Sequence, residues 1–279
     1  MGSRCGDGVQ VVDISNPQHP QVASTLTNPP FTRAEDVTVR EVHTPSFTGA
    51  LAVVGIQACF GSGHEAEVVP GLRLFDVTHP RHPVLLGHFE DGGTSLYVSY
   101  WDAGTVHLDI TTPTSPAVVS QTKIIPPDED GDNHSMTLAR GGRWLVINPE
   151  DFSPGDCPGE PGLDGWGEAY VYDNSDPAHP AFLGTFSTPD SRSTRTDGSF
   201  TDHNTEVTGD QFFSSWYSNG VVWWTMNDQG VSHQLGQFVP PGSPPLVWGV
   251  AIDSAHDLIL ASDITSGLWI VRPKGLANL

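Results

Sequence analysis

Basic residues are scarce in this chain: 12 Lys and Arg stand against 33 Asp and Glu, for a formal charge of −21 over 279 residues. Such a surface repels phosphate backbones and anionic bilayers, which argues against nucleic acid and membrane-surface partners and leaves cations as the natural counter-charge. No apolar run approaches the roughly 18 residues of a membrane span. The opening MGSRCGDGVQVVDIS lacks the charged-then-apolar layout of a signal peptide. Cysteine is limited to Cys5, Cys59 and Cys157, none at metal-finger spacing, so at least one is unpaired within the chain and the pairing stays open. Uninterrupted stretches free of Gly and Pro are also rare, because 30 Gly and 24 Pro punctuate the sequence, and that excludes a bundle of long helices. No G-x-S-x-G elbow is present, Cys59 has no histidine near it in sequence beyond His64, and the GSG after Phe60 is too short for a phosphate loop.

What is present is a repeat. With 37% hydrophobic residues, eight Trp and twelve Phe there is enough apolar surface for a core. The segments VVDISNPQHPQV, LFDVTHPRHPVL, HLDITTPTSPAV and VYDNSDPAHPAF share the frame D-x-x-x-P-x-x-P, with aspartates Asp13, Asp76, Asp109 and Asp173. Two degenerate copies follow, near Gly220 and Gly267. Alternating β-branched and aromatic residues before each Asp suit a strand, and the prolines force a turn after it. The aspartates read as turn caps, since Asp accepts hydrogen bonds from the backbone two residues on. Two more strand-like runs precede most copies, as in HSMTLA and WLVINP before Gly167. Each module is therefore four antiparallel strands, a-b-c-d, which cannot bury both faces alone and must stack radially. The expectation is an all-β fold, a β-propeller of four-stranded blades, with five near-complete modules plus a partial N-terminal one, in a single domain over 1–279. The module between Phe89 and Thr94 has no room for strand a, and the first module begins at strand c. Either an upstream piece belongs to the protein, the preferred reading, or the N-terminal pair closes the ring against the last a-b-c set.

The phrases VVDISNP-x-x-P, HNTEV…SSWYSNGV and VWGV…LILASDITSGLWIV resemble the LVIVD-repeat β-propeller proteins across nearly the whole chain. That resemblance implies the propeller fold and an extracellular or periplasmic setting, and says little of activity. A more distant likeness, in repeat style, is to the selenium-binding proteins, whose propellers include a copper-dependent methanethiol oxidase.

In such a blade the d-to-a and b-to-c connections share one face, and the longer loops (56–71, 123–134, 149–167, 187–203 and 239–247) all fall there. Binding usually resides on long loops over a rigid scaffold. Two modules open strand a with histidine, His134 and His203, each preceded by an acid (Asp132 and Asp202). Strand b ends supply Glu150 and Asp263, and Glu35, Asp36 and Trp248 occupy related strand-a positions. Two imidazoles and two carboxylates are what a divalent ion takes, so His134, His203, Glu150 and Asp263 are the expected metal ligands, for Zn, Cu or Ca. Ligand imidazoles must be neutral, so binding is expected to weaken below roughly pH 6 to 6.5. Each histidine has a plainer reading, a hydrogen bond to a neighbouring blade, and Asp102 and the acid run from Asp128 read as loop residues. Trp101, Trp216, Tyr217 and Trp248 are candidate aromatics of the ligand face, with core packing the competing role. The function expected is a metal-dependent oxidoreductase or hydrolase with its site at the axial mouth. The alternative is a non-catalytic propeller that recognises a small molecule, an extracellular protein or a glycan through the same loops.

Overall fold

The computed structural model describes residues 6, 8–43, 47–59, 61–64, 71–87, 95–99, 104–109, 117–124, 133–152, 165–193, 195–242 and 244–274. The expected ligand-face residue Trp101 and the acid run from Asp128 lie outside these, and the side chains of Glu35 and Asp36 are likewise not described. The described residues form strands and turns, with one 3-10 turn at Arg140–Gly142 and no α-helix. None of their segments is a helix able to cross a membrane. The chain packs as two compact units, Met1–Gly92 and Gly93–Leu279.

The first unit holds β1 (Val9–Asp13) with β2 (Gln21–Leu26), and a four-stranded sheet of β3 (Thr32–His43), β4 (Thr48–Ala58), β5 (Gly71–Asp76) and β6 (Val84–Gly87). Val9 and Leu26 of the small sheet pack on Ala34, Val54, Ile56 and Phe75 of the large one. Arg81 reaches Asp13 at 2.6 Å across the same pair of sheets.

The second unit has four sheets in sequence order. They are β7 (Ser95–Ser99), β8 (Thr105–Asp109) and β9 (Ala117–Thr122); β10 (Asn133–Ala139), β11 (Trp144–Pro149), β12 (Ala169–Asp173) and β13 (Ala181–Phe186); β14 (Asn204–Thr208), β15 (Gln211–Ser215), β16 (Val221–Met226) and β17 (Ser232–Phe238); and β18 (Val247–Asp253), β19 (Leu258–Asp263) and β20 (Gly267–Val271). All pairings are antiparallel, and the first strands β7, β10, β14 and β18 are successive neighbours, as in propeller blades. Among the described residues the β7–β9 sheet has three strands, and residues 88–94, where no room for strand a is expected, lie outside them.

The period-2 side-chain alternation of a strand explains why these runs are apolar throughout. In β11, Trp144 and Val146 face the β14–β17 sheet, while Leu145 and Ile147 face the other way, towards Ile124 and Tyr97. In β15, Phe212 joins the first of these cores and Phe213 packs on Val250 and Ile259 of the last sheet. Both faces of the inner strands are buried, so truncating a ring such as Phe212 to Ala is expected to cost about 3–5 kcal/mol.

The repeat is visible at atomic detail. Asp13, Asp76 and Asp173 accept the N–H of Ser15, Thr78 and Ser175 at 2.9–3.0 Å, the turn-capping role expected of them. All five c–d pairs carry a register shift at one equivalent place, leaving Ala23, Leu86, Val119, Leu183 and Leu235 as the extra residue on strand d. A bulge of this kind twists the outer edge and blunts it against sheet extension. Strand c starts after a left-handed glycine at Gly8, Gly104 and Gly220, where a Cβ would strike the carbonyl oxygen of the last d residue, Leu26, Thr122 or Phe238.

Candidate metal centre

Five strands of the second unit deliver the candidate site. His134 is the second residue of β10, Glu150 follows the last residue of β11, His203 precedes β14, Tyr217 follows β15, and Trp248 lies in β18. Antiparallel pairing puts the start of β10 opposite the end of β11, with Asn133 facing Pro149, and the isolated bridge Tyr217–Val247 brings β15 and β18 together beside them.

One ligating atom each from His134, Glu150 and His203 lies within 4.8 Å of the others. His134 Nδ1 is 3.2 Å from Glu150 Oε2, and His203 Nε2 is 3.7 Å from Glu150 Oε1. The two imidazole centroids are 4.1 Å apart. Tyr217 donates its phenolic hydrogen to Glu150 Oε1, and its ring and that of Trp248 meet His203 edge-on at 5.5 and 5.4 Å. Tyr217 holds a left-handed backbone at φ 36°, an uncommon conformation for a residue with a ring to place. Phe152, half exposed, stacks edge-on against Tyr217 at 5.3 Å.

The tautomer of His203 follows from its neighbours. Nδ1 lies 3.1 Å from Asn204 Oδ1, an acceptor, so Nδ1 carries the proton and the lone pair is on Nε2. Ser215 Oγ, 2.7 Å from Asn204 Oδ1 and 2.8 Å from Trp248 O, pins that amide. Nε2 is buried with no hydrogen-bond partner among the described residues. Buried polar atoms are nearly always partnered, and an exception needs a reason such as an ion.

Burial depresses both imidazoles. Desolvation pulls His134 down to about 4, and His203 lies well below its usual range through desolvation first and the nearby His134 second. The expectation of protonation near pH 6 to 6.5 is therefore corrected: burial keeps both rings neutral further into acid. His203 is only 3% exposed, so it does not stand at a solvated mouth as its strand-start position suggested.

A second layer of polar side chains supports the cluster. Asn148 Nδ2 donates to Asp202 Oδ2 at 2.6 Å and to Thr205 Oγ1 at 2.9 Å, and Ser135 Oγ donates to the His203 carbonyl. Thr205 and Ser214 share a hydrogen bond, and Trp224 Nε1 donates to Ser214 Oγ. Asp202 is fully buried, and desolvation, ahead of the charges of Glu168 and Glu150, pushes its carboxyl well above the carboxylate range.

Of the four expected ligands, His134, His203 and Glu150 come together and Asp263 does not join them. Asp263 caps the β19–β20 turn, accepting from Leu246 N, Thr265 N and Oγ1, and Ser266 Oγ. Of the expected aromatics, Tyr217 and Trp248 contact His203, whereas Trp216 is wholly buried in the core with Nε1 donating to Phe200 O. Asn148, Asp202, Asn204 and Ser215 were not singled out as supports. Only Asn148 carried a signal, as a polar residue inside the apolar run WLVINP.

Residues 6–27 match the LVIVD repeat. The chain carries an LVIVD repeat. Its fold is similar to the periplasmic gluconolactonase of Pseudomonas aeruginosa, with TM-score 0.57 and 12% identity over 98% of this chain and 90% of that one. The β-propeller domain of Cps50 (Swd1) from Myceliophteria thermophila matches with TM-score 0.48 and 11% identity, over 82% of this chain and 67% of that one. No curated protein sequence matches the chain. At these identities the likeness concerns the fold, a β-propeller.

Proposed function

We propose that His134, Glu150 and His203 hold one divalent transition-metal ion and that the chain is a metal-dependent hydrolase. The observation that carries this reading is the buried Nε2 of His203, without a hydrogen-bond partner among the described residues and facing Glu150, while its Nδ1 is tied to Asn204. Two imidazoles and one carboxylate leave coordination positions open, the pattern of catalytic rather than structural zinc sites. Nitrogen donors favour Zn, Fe or Cu over Ca, which takes oxygen ligands. Bound there, such an ion supplies Lewis acidity and an activated water. The protein's own part is to keep both imidazoles neutral by burial and to orient Glu150 through Tyr217.

The similarity to a gluconolactonase makes sugar lactones the first substrates to test. The same two-histidine, one-carboxylate set also suits ferrous iron in oxygen chemistry, so the identity of the ion separates hydrolase from oxidoreductase. Cys59 is disulfide-bonded, which supports an oxidising, extracytoplasmic setting. The test is metal content after reconstitution with Zn, Mn, Fe(II) and Cu at pH 7.5, followed by lactone hydrolysis in a pH-stat. One equivalent in the parent, lost in His203→Ala and Glu150→Gln, is the expected result. No stoichiometric metal would overturn the reading and leave the non-catalytic binding propeller.

A further inference from the structure

Among the described residues the last sheet has three strands. Strands β1, β5, β8, β12 and β16 each pair on their outer side with a fourth-position strand, whereas β20 pairs only with β19 among the described residues. The outer strands of neighbouring sheets pack side by side, as β13 does along β17. A strand added to β20 would by the same geometry lie along the other side of β17. That space is open. A cavity of about 310 Å³ occurs there, walled by Trp223, Leu235, Phe238, Ile259 and Val271. Its volume is that of a small ligand pocket and its walls are largely apolar, which suits alternate side chains of an extended segment.

Charge adds a second, separate indication. Arg272 and Lys274 also line the cavity, two of only 12 basic residues in a chain of net charge −21. Arg272 stands five residues after Gly267, as Asp13 stands five after Gly8 and Asp109 five after Gly104. The repeat position that is acidic in four copies is thus cationic in the last copy, where no strand d occurs among the described residues. Asp257 Oδ2 is 4.0 Å from Arg272 Nη1, and the Arg272 side chain is more than half exposed.

We infer that the β20 edge receives an extended peptide segment of a partner protein, added antiparallel as a fourth strand, with apolar side chains in the cavity and a carboxylate opposite Arg272. The register of the other copies fixes the expectation. Asp13 pairs with Gln21, Asp76 with Val84 and Asp173 with Ala181, so the first residue of the incoming strand meets Arg272. Main-chain hydrogen bonds supply affinity, and the cavity and Arg272 supply selectivity.

The probe is a synthetic peptide of this chain's own residues 20–27, a natural strand d, alongside the same peptide carrying Gln21→Glu. Calorimetry on the full chain should show saturable binding of both. The Glu peptide should bind about two- to fivefold tighter, the range of an exposed ion pair, and Arg272→Glu should reverse that order. Leu235→Glu, at a half-exposed wall position that leaves the core intact, should abolish binding of both. Hydrogen exchange should show new protection at residues 267–272. Absence of heat, or protection elsewhere than β20, overturns the inference. Concentration-dependent self-association that protects β20 without peptide also overturns it, since the occupant would then be a second copy. Metal content does not enter any of these readouts.

Discussion

The phenol of Tyr217 donates to Glu150 Oε1 across 67 residues of sequence, from the end of β15 to the end of β11. That hydrogen bond occupies one carboxylate oxygen and leaves Oε2 directed at His134 Nδ1, 3.2 Å away. Partners of this kind orient ligands, and their loss typically weakens metal affinity by about 10–100-fold. Tyr217→Phe is expected to fall in that range, read by chelator competition, with an unchanged unfolding midpoint in the metal-free protein. Affinity equal to the parent's would show that Glu150 is oriented by its other contacts.

The depressed histidines set a pH dependence for the metal-free protein. His134 titrates near 4 when folded, against 6.5 for a solvated imidazole. Between those values the unfolded chain binds the extra proton, so stability is fully present above 6.5 and is lost as pH falls towards 4. The shift corresponds to a loss on the order of 3 kcal/mol, and His203 acts in the same direction. Denaturant unfolding between pH 7.5 and 4 should show the decline, and His134→Gln should flatten it. A slope equal in parent and variant would remove the burial argument for this ring.

Asp202 works with the opposite sign. Its folded carboxyl is held well above 3.8, chiefly by desolvation, so the folded state retains a proton that the unfolded chain releases. Stability is therefore lost as pH rises above 3.8 towards the folded value. Asp202→Asn removes that loss and keeps an oxygen to accept from Asn148 Nδ2. The metal-free variant should be more stable than the parent at pH 8, by a margin that shrinks towards pH 4. A variant less stable than the parent at pH 8 would mean that an ionised Asp202 is required by the fold.

The architecture was legible because a repeat multiplies weak signals. The Asp-turn frame recurs, its prolines fix where strands c and d separate, and Asp13, Asp76 and Asp173 cap those turns as their spacing required. His134 and His203 stood out because they open the same strand in adjacent modules. Asp263 stood out equally, but the hydroxyl residues Thr265 and Ser266 just after it, which donate to its carboxylate, were the overlooked cue that it caps its own turn. The depth of His203 was also hidden, since burial there comes from Tyr217 and Trp248, which are distant in sequence until β15 and β18 meet. The bulges on strand d leave no residue signature, because Ala23, Leu86, Val119, Leu183 and Leu235 share only an apolar character.

Arg140 gives a test of how neighbouring blades are held together away from the candidate centre. It sits in the β10–β11 turn with a left-handed φ of 52°, and its guanidinium lies 3.7 Å over the Trp144 ring. From there Nε donates to Asp210 at 2.8 Å, Nη1 to Asp228, and Nη2 to the Met226 carbonyl at 3.3 Å, tying one sheet to two turns of the next. The Arg140 side chain is largely covered, at 18% exposure, whereas the two aspartates are exposed. The exposed ion pairs each contribute at most about 1 kcal/mol, and the covered ring contact contributes roughly 0.5–2 kcal/mol. Arg140→Ala is therefore expected to cost about 2–3 kcal/mol, most of it insensitive to salt. Arg140→Lys should recover little, because an ammonium has no planar fork to stack on Trp144 while reaching both acids. Urea unfolding at low salt and in concentrated salt checks this. A loss that vanishes in high salt would assign the clamp to Asp210 and Asp228 alone, and full recovery by Lys would show that charge, not the stacked guanidinium, joins the two sheets.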